Sequence, residues 1–416
     1  SLDRRQRQMC IRDRIGGFDG LIEHSRQSYN FSKLGKLTRS LVRNLNQTID
    51  RTFYPTPQTR CSNMRHRPIG IGVQGLSDVF QILRYPFDSE EARALNIQIF
   101  ATIYYHAMSE SMEMSKERAI HIDMIQKYFS LHGKEESLLR DNWWNAHEDF
   151  VDSDVRAHAQ ALLENITHHD ELSNTYEVHP FKSSYAGAYS SFKGSPLHQG
   201  KFQFDLWDND GGHAMYDWQT LRNEVQQHGT RNSLLLAPMP TASTAQIMGN
   251  TECFETITSN IYLRRTLAGE FIVLNKHLLQ DLIDMGVWST PLKDEIIFYE
   301  GSVQQLKTVP KCIKALYKTV WETSQKVIID LAADRGRYIC QSQSMNLFLA
   351  SPTTNQITSM MYYAWKKGLK TGAYYLRTQP ASKAQQFTLD PTKYSKQGGG
   401  GGKAVSYTHL TLPTIE

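Results

Sequence analysis

Two long stretches of the chain repeat hydrophobic residues at every third or fourth position, the spacing of an amphipathic helix. The first covers residues 31–53 and stops before two prolines, and its hydrophobic positions are Leu34, Leu37, Leu41, Leu45 and Ile49. The second covers residues 90–118, and its hydrophobic positions are Ala92, Leu95, Ile99, Ile103, Ala107 and Met108. We therefore predict two long helices, each packed on a core.

Short apolar runs and further helical patterns alternate in the second half of the chain. Residues 233–237 and 344–350 are apolar runs of strand length, and residues 306–333 between them have a helical pattern. Strands that alternate with helices are typical of an α/β fold with largely parallel pairing. This is the fold class that we expect.

Composition narrows the class of protein. Of the 416 residues, 40% are hydrophobic and 21% are charged, which is typical of a globular protein. The chain has neither an apolar run long enough to cross a membrane nor a signal-peptide pattern, so we expect neither a membrane partner nor secretion. A net charge of +4 without basic clusters argues against nucleic acid. The five cysteines form no C-x-x-C pair, which argues against a disulfide framework or zinc site and favours the cytoplasm.

The segment 120–184 differs from its surroundings. It is polar, acidic in places and contains seven of the fifteen histidines, with helical patterns at 121–131 and 152–165. The histidines that could suggest a metal site are His147, His158, His168, His169 and His179. None of them has a recognised ligand spacing, and no H-E-x-x-H occurs, so solvated loop histidines are the favoured interpretation.

Three glycines, Gly70, Gly72 and Gly75, form a G-x-G-x-x-G pattern. A dinucleotide site would need a hydrophobic strand before this pattern. Arg-His-Arg-Pro precedes it instead. We therefore favour close backbone packing at these positions, and a nucleotide-binding module remains a minor alternative.

Small hydroxyl residues follow the apolar run at 233–237. After two prolines come Thr241, Ser243 and Thr244, and then residues compatible with a helix. Such residues can cap a helix, and free N–H groups at a helix start can also bind an anion. Both interpretations are open on this chemistry alone.

Two segments carry a family resemblance. PMPTASTAQIMGN at 238–250, with the residues up to 271, and RGRYICQSQSMNLFLASPTTNQITSMMYYAWKKGLKTGAYYLRT at 335–378 resemble class I ribonucleotide reductase large subunits. Residues 67–87 and 187–207 resemble the same family. The resemblance covers about residues 15–395 apart from the 120–184 insertion. It implies an α/β fold, about half of a ten-stranded α/β barrel with a mainly helical or loop insertion.

The resemblance also implies a reaction and site residues. The family converts ribonucleoside diphosphates to deoxyribonucleoside diphosphates by thiyl-radical chemistry. Thr241, Ala242, Ser243 and Thr244 would hold the substrate phosphates. Tyr374 and Tyr375 would relay the radical from the small subunit. We expect no metal or other cofactor on this chain itself. The full enzyme would use the metal and radical of its small subunit, ATP and dATP effectors, and thioredoxin or glutaredoxin, and its large subunit would form a homo-oligomer.

The catalytic cysteine of the family lies in an Asn-x-Cys-x-Glu motif, which occurs nowhere in the 416 residues. Cys253, between Glu252 and Glu255, is therefore interpreted as a variable side chain, and Cys340 as a structural thiol. Residues 1–14 and the end of 396–416 resemble translated adapter sequence, and 398–402 are a glycine linker by composition. Because a radical enzyme needs its thiyl cysteine, we expect an inactive fragment. The alternative is a non-catalytic reductase-like scaffold.

The tyrosine pair yields a geometric prediction. In a regular strand, neighbouring side chains point to opposite faces of the sheet. Radical transfer needs two rings that face each other, and Gly372 lies just before the pair. We predict that Gly372 lets the backbone leave strand geometry so that Tyr374 and Tyr375 are stacked.

Overall fold

A computed structural model describes residues 29–132, 185–207, 212–266 and 269–379. The helices are α1 (Phe31–Arg51), α2 (Pro57–His66), α3 (Leu76–Leu83), α4 (Glu90–His132), α5 (Trp218–His228), α6 (Ala242–Met248), α7 (Lys276–Asp284), α8 (Thr290–Phe298), α9 (Lys311–Leu316), α10 (Gln325–Gly336) and α11 (Thr354–Lys366). A short 3-10 helix covers Gln203–Trp207. The strands are β1 (Ile261–Thr266), β2 (Gly269–Leu274), β3 (Asn346–Phe348) and β4 (Tyr375–Arg377).

Helix α1 forms as predicted, but it buries a different face. Leu37 and Leu41 are 58% and 39% exposed, whereas Val42 is fully buried. The reason is the close approach of α4. A Cβ atom added at Gly35 would lie 2.4 Å from His106 Nε2. The face with the smallest residues therefore packs on α4, and the leucines flank the contact.

Helix α4 buries every hydrophobic position predicted for it, which confirms that assignment. It also continues without a break to residue 132. Residues 121–131 are thus helical, but they extend α4 instead of forming a separate piece. The predicted helix at 152–165 and the five candidate metal-ligand histidines lie outside the described residues.

Four extended segments run side by side: 69–71, 234–238, 341–349 and 374–379. Ile69 N–H donates to Leu234 O at 3.0 Å, and Gln341 N–H donates to Leu236 O at 3.2 Å. The bridge between Ile71 and Leu236 is parallel, as is the pairing of β3 with β4. The α/β class with parallel pairing is confirmed. Within the described ranges, these segments do not close into a barrel.

Two parts of the second half differ from the sequence prediction. Strands β1 and β2 form an antiparallel hairpin that the pattern did not predict. Residues 306–333 are not one helix but contain α9 and most of α10. The chain turns between them because Tyr317 is used in packing: its carbonyl accepts a hydrogen bond from Asn260 Nδ2 at 3.0 Å, and its hydroxyl donates to Asp281 at 2.7 Å.

The buried apolar residues form two clusters. The larger one joins α1, α4 and α10 with the parallel segments, and the smaller one lies between β1 and residue 317, around α7 and α8. None of the helices in the described residues is long and apolar enough to cross a membrane.

Candidate functional site

The predicted phosphate segment follows the second parallel segment and opens helix α6. Thr241 occupies the N-cap position with a left-handed φ of +56°, and no side chain caps the helix. Thr241 Oγ1 instead accepts a hydrogen bond from Cys253 N–H at 2.7 Å. The alternative interpretation, in which Thr241 or Ser243 only caps the helix, is therefore contradicted, because no side chain caps α6. The hydroxyl ties the start of α6 to the loop that carries Cys253.

The first turn of α6 is open to solvent. Ala242, Ser243 and Thr244 are exposed, whereas Ala245 is buried beneath them. The first N–H groups of a helix have no acceptor within the helix. This turn therefore presents free backbone donors and two hydroxyls on one exposed surface.

Two of the three glycines position this segment. A Cβ atom at Gly72 would lie 3.2 Å from Pro238 Cα and 3.3 Å from Met239 N, so a larger residue would press on the backbone that leads to Thr241. Gly75 has a φ of +77°, which glycine adopts without strain. The structure thus supports close backbone packing as the role of the pattern.

A cleft of about 370 Å³ lies beside α6, between the loop at 249–259, the β1–β2 hairpin and the ends of β3 and β4. Its charged lining residues are Asp78, Glu252, Glu255, Arg264, Lys276 and Arg377. Helix α6 contributes Gln246 to the lining, but the described residues that line the cleft do not include Thr241–Thr244 or the tyrosine pair. The cleft adjoins both predicted sites without containing either.

Burial disfavours the charged forms of the two carboxyl groups and the thiol of this loop. Burial, with repulsion from Glu252 second, raises the pKa of Glu255 to about 7, against hydrogen bonds from Asn346. Burial also raises the pKa of Glu252. Cys253 is fully buried, and burial raises the pKa of its thiol to about 12. A neutral, buried thiol agrees with the interpretation that Cys253 is not the catalytic cysteine of the family.

Arg335 is a residue that the sequence reasoning passed over. It is 1% exposed, and its guanidinium lies 3.7 Å from the centroid of the Phe254 ring. Its Nε donates to Gln343 at 2.7 Å. Burial lowers the pKa of Arg335 to about 9. The arginine therefore holds the 252–255 loop against α10. In the sequence, only its place in the RGRY motif indicated that Arg335 could matter.

The tyrosine pair lies at the start of β4. Tyr374 precedes the strand and Tyr375 is its first residue. Their ring centroids are 4.4 Å apart at an interplanar angle of 65°, so the rings meet edge to face instead of stacking. A hydrogen bond with Tyr375 raises the pKa of Tyr374. The rings are thus in contact and do not point to opposite faces of a strand.

Gly372 has a different role from the predicted one. Its φ lies outside the left-handed region, and an added Cβ would lie 3.1 Å from Met361 Sδ on α11. The close approach of α11 explains the glycine. The pair escapes strand alternation because β4 begins only at Tyr375. Arg377, two residues further on, lies 5.5 Å from the Tyr375 ring and also lines the cleft.

Cys340 is bound to the backbone of the second parallel segment. Its Sγ accepts hydrogen bonds from Leu235 N–H at 3.0 Å and Leu236 N–H at 3.2 Å. Burial raises the pKa of this thiol. These contacts agree with the structural role predicted for Cys340.

Residues 18–375 match the family model described as the ribonucleotide reductase barrel domain. The chain belongs to the ribonucleotide reductase large-subunit family. It is 46% identical over 363 residues to ribonucleoside-diphosphate reductase large chain 2 of Saccharomyces cerevisiae, covering 87% of the chain and 34% of the relative. It is 44% identical over 368 residues to the large subunit of Acanthamoeba polyphaga mimivirus, covering 88% and 34%.

A solved structure supports the fold. The Actinobacillus ureae class Id ribonucleotide reductase alpha subunit aligns with a TM-score of 0.53 at 20% identity, covering 87% of this chain and 48% of that structure. This chain spans about a third of the length of the curated relatives that it matches.

Proposed function

We propose that this reductase chain is part of the large subunit of a ribonucleoside-diphosphate reductase. The full enzyme would convert ribonucleoside diphosphates to deoxyribonucleoside diphosphates by thiyl-radical chemistry. The observation that carries the proposal is the contact between the Tyr374 and Tyr375 rings, 4.4 Å apart, in a chain of this family. We also propose that the four parallel segments belong to the ten-stranded barrel of the full subunit.

The substrate phosphates would bind at residues 241–244. The exposed first turn of α6 offers unpaired backbone N–H groups, and helix starts favour anions. The hydroxyl of Thr241 already accepts the bond from Cys253. That bond uses a lone pair of the oxygen and leaves the O–H of Thr241 able to donate to a phosphate. The ligands would therefore be the hydroxyls of Thr241, Ser243 and Thr244 together with the backbone around Ala242. Thr244 would exchange its present hydrogen bond to Thr241 O, at 3.3 Å, for one to the phosphate.

Titration calorimetry with adenosine diphosphate tests this phosphate site. The double substitution Ser243→Ala with Thr244→Val should weaken binding by about a hundredfold or more, since each of the two lost hydrogen bonds to a charged group contributes about 1.5–3 kcal/mol. Ser302→Ala is the matched control. It also removes a serine hydroxyl, but Ser302 lies beside the smaller apolar cluster and not at α6, so the affinity should not change. Equal affinity of the double variant and the wild type would contradict the assignment.

Tyr374 and Tyr375 would pass a radical inward from the small subunit. Each step moves one electron and one proton, so each ring must carry an O–H group. The hydrogen bond between the two phenols and the short ring distance support such a transfer.

A chimera tests the tyrosine assignment. Residues 238–378 of this chain would replace the matching segment of the Saccharomyces relative, and reduction of a ribonucleoside diphosphate would be measured with that organism's small subunit. Tyr374→Phe and Tyr375→Phe should each abolish turnover, while the chimera still binds substrate. Tyr299→Phe, whose ring packs on the smaller cluster, is the control. An active Tyr374→Phe chimera would refute the role.

The remaining partners follow from the same proposal. The small subunit would supply the metal and radical, ATP and dATP would regulate the full enzyme, thioredoxin or glutaredoxin would reduce it, and the full-length subunit would form a homo-oligomer in the cytoplasm. We propose that no cysteine of this chain is the thiyl residue, which the buried, protonated Cys253 supports. A chimera that folds but neither binds substrate nor turns over would favour the scaffold alternative.

A further inference from the structure

Three arginines lie together with one carboxylate on the side of the fold away from α6. Arg67, Arg118 and Arg231 are close enough for their charges to repel one another, and Asp50 is the carboxylate that acts on them among the described residues. With all groups charged, three positive charges face one negative charge. The cluster therefore has an excess of two positive charges.

Asp50 is already engaged by one of these arginines. Arg67, which is 1% exposed, donates to both oxygens of Asp50, at 2.6 and 2.9 Å. Its Nε donates to Asn46 Oδ1 at 3.0 Å. Asp50 is thus bound by Arg67, and no other carboxylate of the described chain acts on Arg118 or Arg231.

The backbone brings the other two arginines to the same place. Arg231 N–H donates to Ser111 O at 2.8 Å, and the neighbouring Asn232 Nδ2 donates to Arg67 O at 2.8 Å. Arg118 lies seven residues after Ser111 on α4, two turns along the same helix face. The three side chains thus approach from α2, α4 and the start of the second parallel segment.

Neither Arg118 nor Arg231 has a polar partner in the part of the chain that the structure describes. Arg231 is only 8% exposed, and its side chain makes no hydrogen bond or ion pair there. Arg118 is half-buried, and its Nε is buried without a partner. A buried charge without a partner is strongly unfavourable, and arginine keeps its proton where lysine would lose it.

Burial is the main cost of this arrangement, and repulsion adds to it. Burial, followed by repulsion from Arg67, lowers the pKa of Arg118 to about 9. Burial, followed by repulsion from Arg118 and Arg67, lowers the pKa of Arg231 well below its ordinary value. An anion between these groups would remove both penalties.

We propose that Arg67, Arg118 and Arg231 form a binding site for a phosphate-type oxyanion, either free or as the phosphoryl group of a ligand. The planar, forked guanidinium matches the oxygens of phosphate, and a dianion balances the excess charge. The site lies where the second parallel segment begins, since Ser233 N–H donates to His66 O at 2.9 Å. Thr241 follows the opposite end of that segment, so the site is separate from the proposed substrate site.

Calorimetric titration of the 416-residue chain with inorganic phosphate, at constant ionic strength in sodium chloride, tests this proposal. Saturable binding is expected, and Arg118→Gln or Arg231→Gln should weaken it by about tenfold or more, the loss of one charged hydrogen-bond pair. Arg51→Gln, an exposed arginine at the end of α1, is the matched control and should bind phosphate as the wild type does. No saturable binding, or equal affinity in Arg118→Gln, would overturn the proposal.

A second variant covers the case in which the glutamine variants fail to fold. Arg118→Glu supplies a carboxylate to the cluster, so it should unfold at the same temperature as the wild type in chloride or higher, and phosphate should no longer raise that temperature. If Arg118→Glu unfolds at a lower temperature than the wild type in sodium chloride, the claim that the cluster has an excess of positive charge is refuted. Adenosine diphosphate separates the two sources in the Ser243→Ala, Thr244→Val background, which removes the proposed substrate site. Tighter binding than phosphate there, lost on adding Arg118→Gln, indicates a phosphorylated ligand, and binding of phosphate alone indicates the free ion.

Discussion

Thr241 permits a stability prediction in which two opposing contributions can be separated. Its Oγ1 accepts the hydrogen bond from the buried Cys253 N–H at 2.7 Å. Its backbone is left-handed, with a φ of +56°. The hydrogen bond stabilises the fold, whereas the left-handed conformation of a β-branched residue destabilises it.

The magnitudes follow from these contacts. Thr241→Ala removes the acceptor, leaves the Cys253 N–H unsatisfied and keeps the backbone strain, so it should lower the free energy of unfolding by about 1–3 kcal/mol. Thr241→Gly loses the same bond but relieves about 1 kcal/mol of strain, which leaves a loss of about 0–2 kcal/mol. Thr241→Ser keeps the hydroxyl and should change the stability by less than about 0.5 kcal/mol.

Urea unfolding of the three variants, followed by circular dichroism, measures this order through the transition midpoints. The expected order of stability is wild type and Thr241→Ser first, Thr241→Gly next, and Thr241→Ala last. Equal midpoints for the serine and alanine variants would refute the hydrogen bond as a source of stability. A glycine variant less stable than the alanine variant would refute the left-handed strain.

Two further predictions concern buried polar groups. Folding raises the pKa of Glu255 from 4.5 to about 7, so its contribution to stability is fully present below about pH 4.5 and is lost as the pH rises to 7. The free energy of unfolding of Glu255→Gln should therefore exceed that of the wild type by roughly 2–3 kcal/mol at pH 8 and equal it at pH 4. Urea unfolding at a series of pH values measures this difference, and parallel pH profiles of the two proteins would contradict the prediction. Asn232 is 1% exposed; its Nδ2 donates hydrogen bonds to Asn46 Oδ1 and Arg67 O, and its Oδ1 accepts one from Ser111. Asn232→Ala should therefore lower the free energy of unfolding by about 3 kcal/mol in the same assay. A decrease below about 1 kcal/mol would show that the network is not cooperative.

The sequence predicted elements better than it predicted contacts. The 3.6-residue periodicity correctly placed α1 and α4, because that spacing follows from the geometry of one helix. It misassigned the buried face of α1, where Gly35 faces α4 and Leu37 is exposed, because only the neighbouring helix decides which face is covered. The prediction of a single helix at 306–333 was wrong for a similar reason, because Tyr317, just after the end of α9, contacts residues that are distant in the sequence.

The candidate site shows the same division. Local motifs proposed residues 241–244 and the tyrosine pair as site residues, because the family resemblance extends over a long stretch of chain on each side of them. The motifs could not show that Thr241 binds the Cys253 loop instead of capping α6, or that the two rings meet edge to face. Each of these facts depends on where a strand or helix begins, and contacts with neighbouring segments determine that position.

By itself, the sequence determined the family, the α/β class and the residues that carry the proposed chemistry, because these depend on residue type and on spacing within single segments. Only the tertiary structure decided which helix face is buried, how the four parallel segments are ordered, and that the charges of Arg67, Arg118 and Arg231 act on one another. These arginines are separated by 51 and 113 positions along the chain, so no local pattern connects them. Charges so far apart in sequence interact only after the packing of the core has brought their segments together.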